Sequence, residues 1–170
     1  MRHITSLNEF KDHSDNKDSR EETEKHIETV RGYLNGFAEA LVQRGEVHDL
    51  SKLNSPEKEM FDDVTDRLKG MKYGTKEYQD SLEYLKPALD HHYAHNSHHP
   101  QHYTNGVDGM DLLDLVEMFF DWKASGERNA DGNIFKSIEI NKDRFELSDQ
   151  VVSIFKNTAK NMGFENPDSE

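Results

Sequence analysis

Apolar residues in this chain recur at three- and four-residue steps, and nowhere do they alternate at a sustained period of two. From about residue 21 to 44, Ile27, Val30, Tyr33, Leu34, Phe37 and Leu41 form one stripe of an amphipathic helix. A second helix is predicted from Ser55, with Pro56 in its first turn, through Met60, Phe61, Val64 and Leu68 to Gly70. Thr75 can cap a third, which carries Tyr78, Leu82, Leu85 and Leu89 along one side and which Pro87 should kink or break. Asp108 is the expected cap of a strongly apolar segment over 110–124, a fifth helix begins near Asn133, and Ser148 caps a sixth. The expected class is therefore all-α, a single helical domain of about six helices spanning 21–165. Residues 11–20 contain no aliphatic or aromatic side chain and read, within a polar arm over 1–20, as a mobile linker. Ile4, Leu7 and Phe10 ahead of that linker could dock as a short arm.

Charge narrows the functions open to such a domain. The 34 acidic and 21 basic residues among 170 give a formal net charge of -13. Phosphate backbones and anionic membrane surfaces are bound by clustered Lys and Arg, so neither duplex nucleic acid nor a membrane is an expected partner. An acidic chain can still act on a phosphate compound when divalent cations stand between its carboxylates and the substrate. Cysteine is absent, which excludes disulfides, thiolate zinc sites and thiolate-held iron–sulfur clusters. No apolar run approaches the roughly 20 residues of a membrane span, and no signal-peptide pattern opens the chain. The expectation is a soluble cytoplasmic protein, with a homo-oligomer left open.

Histidine supplies the strongest chemical signal. Six of the ten histidines lie between His91 and His102. Neutral imidazole is the commonest protein ligand for transition metals, so this density points to metal chemistry, although a histidine-rich surface loop would also produce it. Three further pieces accompany the cluster. Glu22 and His26 lie four apart on one helix face, His48 and Asp49 are adjacent, and Asp121 lies inside the most apolar helix. Each has a plain alternative: His26 as a surface residue, Asp49 as a turn or cap, and Asp121 as part of a solvated arc with Asp111, Asp114 and Glu117. For Asp111 and Asp114 the solvated face is the preferred reading.

The order of a histidine, an adjacent His-Asp pair, paired histidines and a late helical aspartate resembles the HD superfamily of metal-dependent phosphohydrolases. His48-Asp49-Leu50-Ser51-Lys52 is similar to that superfamily's His-Asp-hydrophobic-Gly-Lys run, with Ser51 where glycine is usual. His91-His92, a loop containing Pro100 and an apolar helix with Asp121 resemble the later half of its HD-GYP branch. The Gly-Tyr-Pro signature is absent, so cyclic-dinucleotide specificity is not implied. No histidine lies between His48 and His91, where binuclear members carry one, and His98 or His99 could supply it. The chain also resembles a family of small bacterial and phage proteins of unassigned function. That likeness is carried by the 48–52 run, Lys86-Pro87-Ala88-Leu89-Asp90-His91-His92-Tyr93, His98-His99-Pro100-Gln101-His102 and Asp121-Trp122-Lys123-Ala124. It covers roughly residues 21–160 and brings no activity with it.

The HD resemblance implies a site in which His26, His48, Asp49 and Asp121 hold one divalent ion, Mn, Fe, Co, Ni or Zn. Asp49 could bridge to a second ion held by His91, His92 and His98 or His99. Two ions about 3.5–4 Å apart would activate a hydroxide for in-line attack on phosphorus. Asp49, Lys52 and His98 are then the expected catalytic residues. Lys52, Lys123 and Arg128 are expected to hold the phosphate, with ordinary surface charge as their alternative. Glu22 is an extra ligand or orients His26. The expected partner is a nucleotide or related small phosphate ester in a bacterial cell or phage-infected host, where nucleotide-pool control or removal of a defence signal would both fit. A non-catalytic metal-binding or acidic interaction protein is the second reading. Di-iron oxygen chemistry is the third, disfavoured because the chain has no Glu-x-x-His pair.

Overall fold

Helices account for every long regular segment among residues 19–68, 76–128 and 132–164, the part of the chain that the computed structural model describes. They are α1 (Ser19–Val47), α2 (Glu57–Leu68), α3 (Lys76–His95), α4 (Leu112–Gly126), α5 (Ile134–Arg144) and α6 (Asp149–Asn161). Short 3-10 turns lie at Leu50–Leu53, Pro100–His102 and Gly106–Gly109, and there is no strand among the described residues. The all-α class and the six helices agree with the hydrophobic pattern. None of these helices is long and apolar enough to cross a membrane.

The chain divides into a unit ending at Ala40 and a second from Leu41 onward. In the first, α1 has the expected helical form, but Ile27, Val30, Tyr33, Leu34 and Phe37 remain exposed rather than buried. Almost all of the expected polar linker, together with Ile4, Leu7 and Phe10, lies outside the described residues; its last two residues, Ser19 and Arg20, already belong to α1.

In the second unit the core forms between α4, α5 and α6. Phe119 and Trp122 meet Ile134, Phe135 and Ile138 of α5 and Val152, Phe155 and Ala159 of α6. The Trp122 ring stands edge-on to Phe155 and parallel to Phe145, geometries that suit the quadrupoles of the rings. Val64, Leu85 and Ala88 are buried where α2 packs on α3.

Helix ends follow local chemistry, with three departures from expectation. Asn133 and Ser148 cap α5 and α6 as predicted, accepting from the backbone of Lys136 and Val151. The second helix starts at Glu57, because Ser55 and Pro56 form a turn ahead of it. Pro87 does not break α3; it is exposed one turn after exposed Glu83, so water can satisfy the carbonyl it leaves free. Thr75 lies outside the described residues. The cap of α4 is Asp111 rather than Asp108, which falls in a 3-10 turn. Asp111 and Asp114 form a reciprocal box in which each carboxylate accepts the other's backbone N–H.

Asp114 is the clearest reversal. The arc argument placed it in solvent, yet it is 2% exposed. Its carboxylate accepts from Arg44 Nη2 (2.5 Å), Ser97 Oγ (2.6 Å) and the Tyr103 hydroxyl (2.6 Å). Gly109 admits that tyrosine, since a Cβ there would lie 2.8 Å from the Cβ of Tyr103. Burial opposes the charge on Asp114, but these donors outweigh it and hold the carboxyl below its usual range. Replacing Asp114 by Ala, which removes the acceptor of Tyr103 and Ser97 and one of the two carboxylates on Arg44, is expected to cost about 3 kcal/mol. Urea unfolding monitored by circular dichroism measures this, and Asp114→Asn should cost less.

Candidate metal centre

The end of α1 starts the site. Arg44 and His48 are four residues apart and therefore share a face. Asp49 follows with φ 57° and ψ 12°, a left-handed conformation costing roughly 1–2 kcal/mol for a residue with a side chain. It ends the helical path and brings the Asp49 carboxylate among the imidazoles. His92 comes from the last turn of α3, His98 and His99 from the tight turn after it, and Glu117 and Asp121 from successive turns of one face of α4. Asp49, His92, His98 and His99 each direct one ligand atom to a common locus, as do His48, Asp49 and Asp121 beside it.

Hydrogen bonds settle which imidazole nitrogen faces inward. Glu117 Oε1 lies 2.8 Å from His48 Nδ1 and 2.9 Å from His98 Nδ1. Glu57 Oε2 lies 2.9 Å from His92 Nδ1. An ionised carboxylate only accepts, so each Nδ1 carries the proton and each Nε2 presents a lone pair. Those lone pairs converge on Asp49: His92 Nε2 at 3.3 Å and His98 Nε2 at 3.6 Å from Oδ1, and His48 Nε2 at 3.6 Å from Oδ2. His99 Nε2 lies 2.8 Å from His92 Nε2, a contact that needs a proton on His99 or a cation shared by both.

Among the described residues, two buried atoms, Asp49 Oδ1 and His98 Nε2, have no hydrogen-bond partner. Each would cost about 1–3 kcal/mol if left so. A cation between them satisfies both at once, because both are lone-pair donors facing each other. The surroundings suit one. Five carboxylates (Asp49, Glu57, Asp114, Glu117 and Asp121) stand against two permanent cations, Arg44 and Lys52. Mixed imidazole and carboxylate donors fit Mn, Fe, Co, Ni or Zn.

Burial favours the neutral form of two of these imidazoles, whereas the carboxylate behind a third favours its protonated form. Burial, aided by His98 and His92, pushes the His99 imidazole down to about 3, and burial also lowers His92, so both are neutral ligands at pH 7. The hydrogen bond to Glu117 raises His48. Burial disfavours the charge on Glu117, but donors from His48, His98 and Arg44 hold it well below the carboxylate range. Asp49 is likewise held low against burial, chiefly by Lys52, whose Nζ lies 2.6 Å from Oδ2.

A model of a family described as "Family of unknown function (DUF5662)" matches residues 15–161. The chain belongs to that family. No curated protein and no solved structure matches it.

In this DUF5662 protein, Asp49, Lys52, His48, His92, His98 and Asp121, all predicted for the site, come together. His91 does not join the inward-facing ligands; its Nδ1 lies 2.7 Å from Glu57 Oε1 and its ring stacks on His95. His26 is exposed in the first unit and belongs to no ligand group among the described residues, and Glu22 is exposed likewise. Lys123 pairs with Glu127 and lies over the Phe164 ring, and Arg128 is exposed beyond α4. Ser51, where the resembling motif has glycine, donates its hydroxyl to Glu57 and accepts from Asn96.

Sequence reasoning missed the supporting carboxylates and Arg44. Glu117 precedes Asp121 by four in the most apolar helix, a spacing that places both on one face and could have flagged it. Glu57, fully buried, sits in the run Glu57-Lys58-Glu59, which looks like an ordinary charged first turn. Three clefts open on the site residues. One of about 300 Å³ meets His48 and Asp121 and is walled by Leu41, Val116 and Phe120. A second of about 300 Å³ meets His48, His98 and Glu117. The third, about 240 Å³, meets His99 and Asp121 and has polar walls.

Glu117→Gln should weaken binding of Co²⁺ or Zn²⁺ by roughly 10- to 100-fold, the usual effect of losing a carboxylate behind metal-ligating histidines; isothermal titration calorimetry reads it. In the metal-free protein, His99 titrates near 3 when folded and near 6.5 when unfolded. Between these values the unfolded chain binds the extra proton, so this contribution is present above pH 6.5 and is lost as pH falls below it. The stability gap between wild type and His99→Gln should therefore shrink from pH 7 to pH 5, which urea midpoints at each pH would register.

Proposed function

We propose that this DUF5662 protein is a metal-dependent phosphohydrolase acting on a nucleotide or related small phosphate ester. The observation that carries the reading is the pair of buried, unbonded atoms Asp49 Oδ1 and His98 Nε2 within a ring of imidazole lone pairs. Asp49 offers one oxygen to each of two adjoining ligand groups, the arrangement of a carboxylate between two ions. His92, His98 and His99 would hold one ion with Oδ1, and His48 and Asp121 would help hold a second. A bound ion acidifies water to a nucleophile at neutral pH and offsets charge on phosphoryl oxygens. Lys52, bonded to Asp49, is placed to meet a substrate oxygen at the same spot. The apolar cleft beside His48 suits the organic part of an ester. The resemblance to the HD superfamily on His48-Asp49 and Asp121 favours the same chemistry.

One observation favours a second reading, a non-catalytic ion that braces the fold: His92 and His98 are 2% and 1% exposed, as in closed structural sites. Against it, His48 and Asp121 border open clefts. Protein loaded with Mn²⁺ or Co²⁺ should release phosphate from one or more nucleotides. Asp49→Ala and His98→Ala should each lower turnover by more than about 100-fold, beyond the effect of an indirect support, with the helical circular dichroism intact. One bound transition ion per chain with no turnover on any nucleotide, and a melting temperature that drops with chelator, would favour the bracing role.

A further inference from the structure

The polar cleft beside the metal centre has features that cleavage of a simple monoester does not require. Its inner wall includes the ligands His99 and Asp121, and its outer part includes Ser137, Asn141 and Arg144. Arg144 is the only cation lining it. Its guanidinium lies over the Phe145 ring at 4.7 Å and forms no ion pair with any carboxylate among the described residues. Arg144 is exposed, so its guanidinium can meet a ligand entering from solvent. The contact with Phe145 limits the rotamers of the side chain while leaving its N–H fork available to an anion. Asn141 is buried, and its side-chain amide donates to the carbonyl of Ser137.

We infer that this cleft is a second phosphate subsite. Its ligand carries two phosphate groups, one at the His99–Asp121 end and the other on Arg144, as in a nucleoside diphosphate. The volume of about 240 Å³ suits a phosphate and part of a sugar rather than a phosphate alone. A planar guanidinium accepts phosphate in bidentate fashion, and the Asn141 side-chain carbonyl can accept from a ligand hydroxyl. The inference rests on the phosphohydrolase reading for its first phosphate position, and Arg144 acts in it as a binding and specificity residue.

Trp122, the single tryptophan, also lines the cleft and supplies a readout independent of turnover. Metal-loaded protein, freed of excess ion and with its metal content checked after titration, is titrated with inorganic pyrophosphate and with inorganic phosphate while Trp122 fluorescence is followed. Arg144→Gln should weaken pyrophosphate binding by at least about tenfold, the scale of a lost charge-assisted pair, and should change phosphate affinity much less. Arg144→Lys should fall between. Equal weakening for both anions, or pyrophosphate affinity unchanged in Arg144→Gln, overturns the subsite. If no nucleotide is hydrolysed but pyrophosphate binding still depends on Arg144, only the catalytic reading fails. If nucleotides are hydrolysed and pyrophosphate ignores Arg144, only the subsite fails.

Discussion

Everything at the centre of this protein depends on two carboxylates, one buried and one half-buried, that fix the tautomers of three histidines. Glu117 takes the Nδ1 protons of His48 and His98, and Glu57 takes that of His92. A free imidazole exchanges its proton between two nitrogens and turns about two side-chain bonds. These bonds remove both freedoms, so that each Nε2 is a lone pair aimed at Asp49. The remaining oxygen of Glu117 is held in turn by Arg44, which also grips Asp114 at the capped start of α4. A continuous set of charge-assisted bonds thus links a helix cap to the inward-facing ligands. The arrangement resembles the carboxylate–histidine supports found behind many metal sites.

The electrostatic design has two zones. In the outer one, charges are paired: Arg44 with Asp114 and Glu117, Lys52 with Asp49. In the inner one, His92 and His99 are kept neutral by burial, so that lone pairs rather than protons face the centre. Neutral imidazoles and excess carboxylate charge would be a poor interior without a cation, since like-signed groups approach each other with little water to screen them. The same features make a good receptor for one.

The helical class and the residue types of the site were legible in the sequence, for distinct reasons. Stripes at three- and four-residue spacing marked the first three helices, a continuous apolar segment marked the fourth, and Asn133 and Ser148 marked the starts of the last two through their short acceptor side chains; the core residues of α4, α5 and α6 were not singled out. His48-Asp49, the histidine run and Asp121 stood out because their residue types bind metals. What remained hidden depended on tertiary placement. Asp114 lies on the same arc as Asp111, yet only folding shows that Arg44, Ser97 and Tyr103 meet the first and not the second. His91 and His92 are neighbours with identical chemistry, and the 100° turn of the helix between them sends only His92 to the centre. The exposed apolar face of α1 shows the converse limit, since a helical stripe does not specify what it packs against.

The left-handed backbone at Asp49 ties shape to occupancy. This peptide unit sits in a high-energy geometry while its side chain supplies an unsatisfied oxygen, so the bend and the cavity for the ion stand or fall together. Capturing a cation would offset the torsional penalty, and releasing it would free the joint between α1 and the following turn to relax. Among natural side chains only glycine and asparagine tolerate that torsion comparably, and neither brings a negative charge. An exchange at this position therefore alters the backbone bend, the charge that faces the imidazoles, or both.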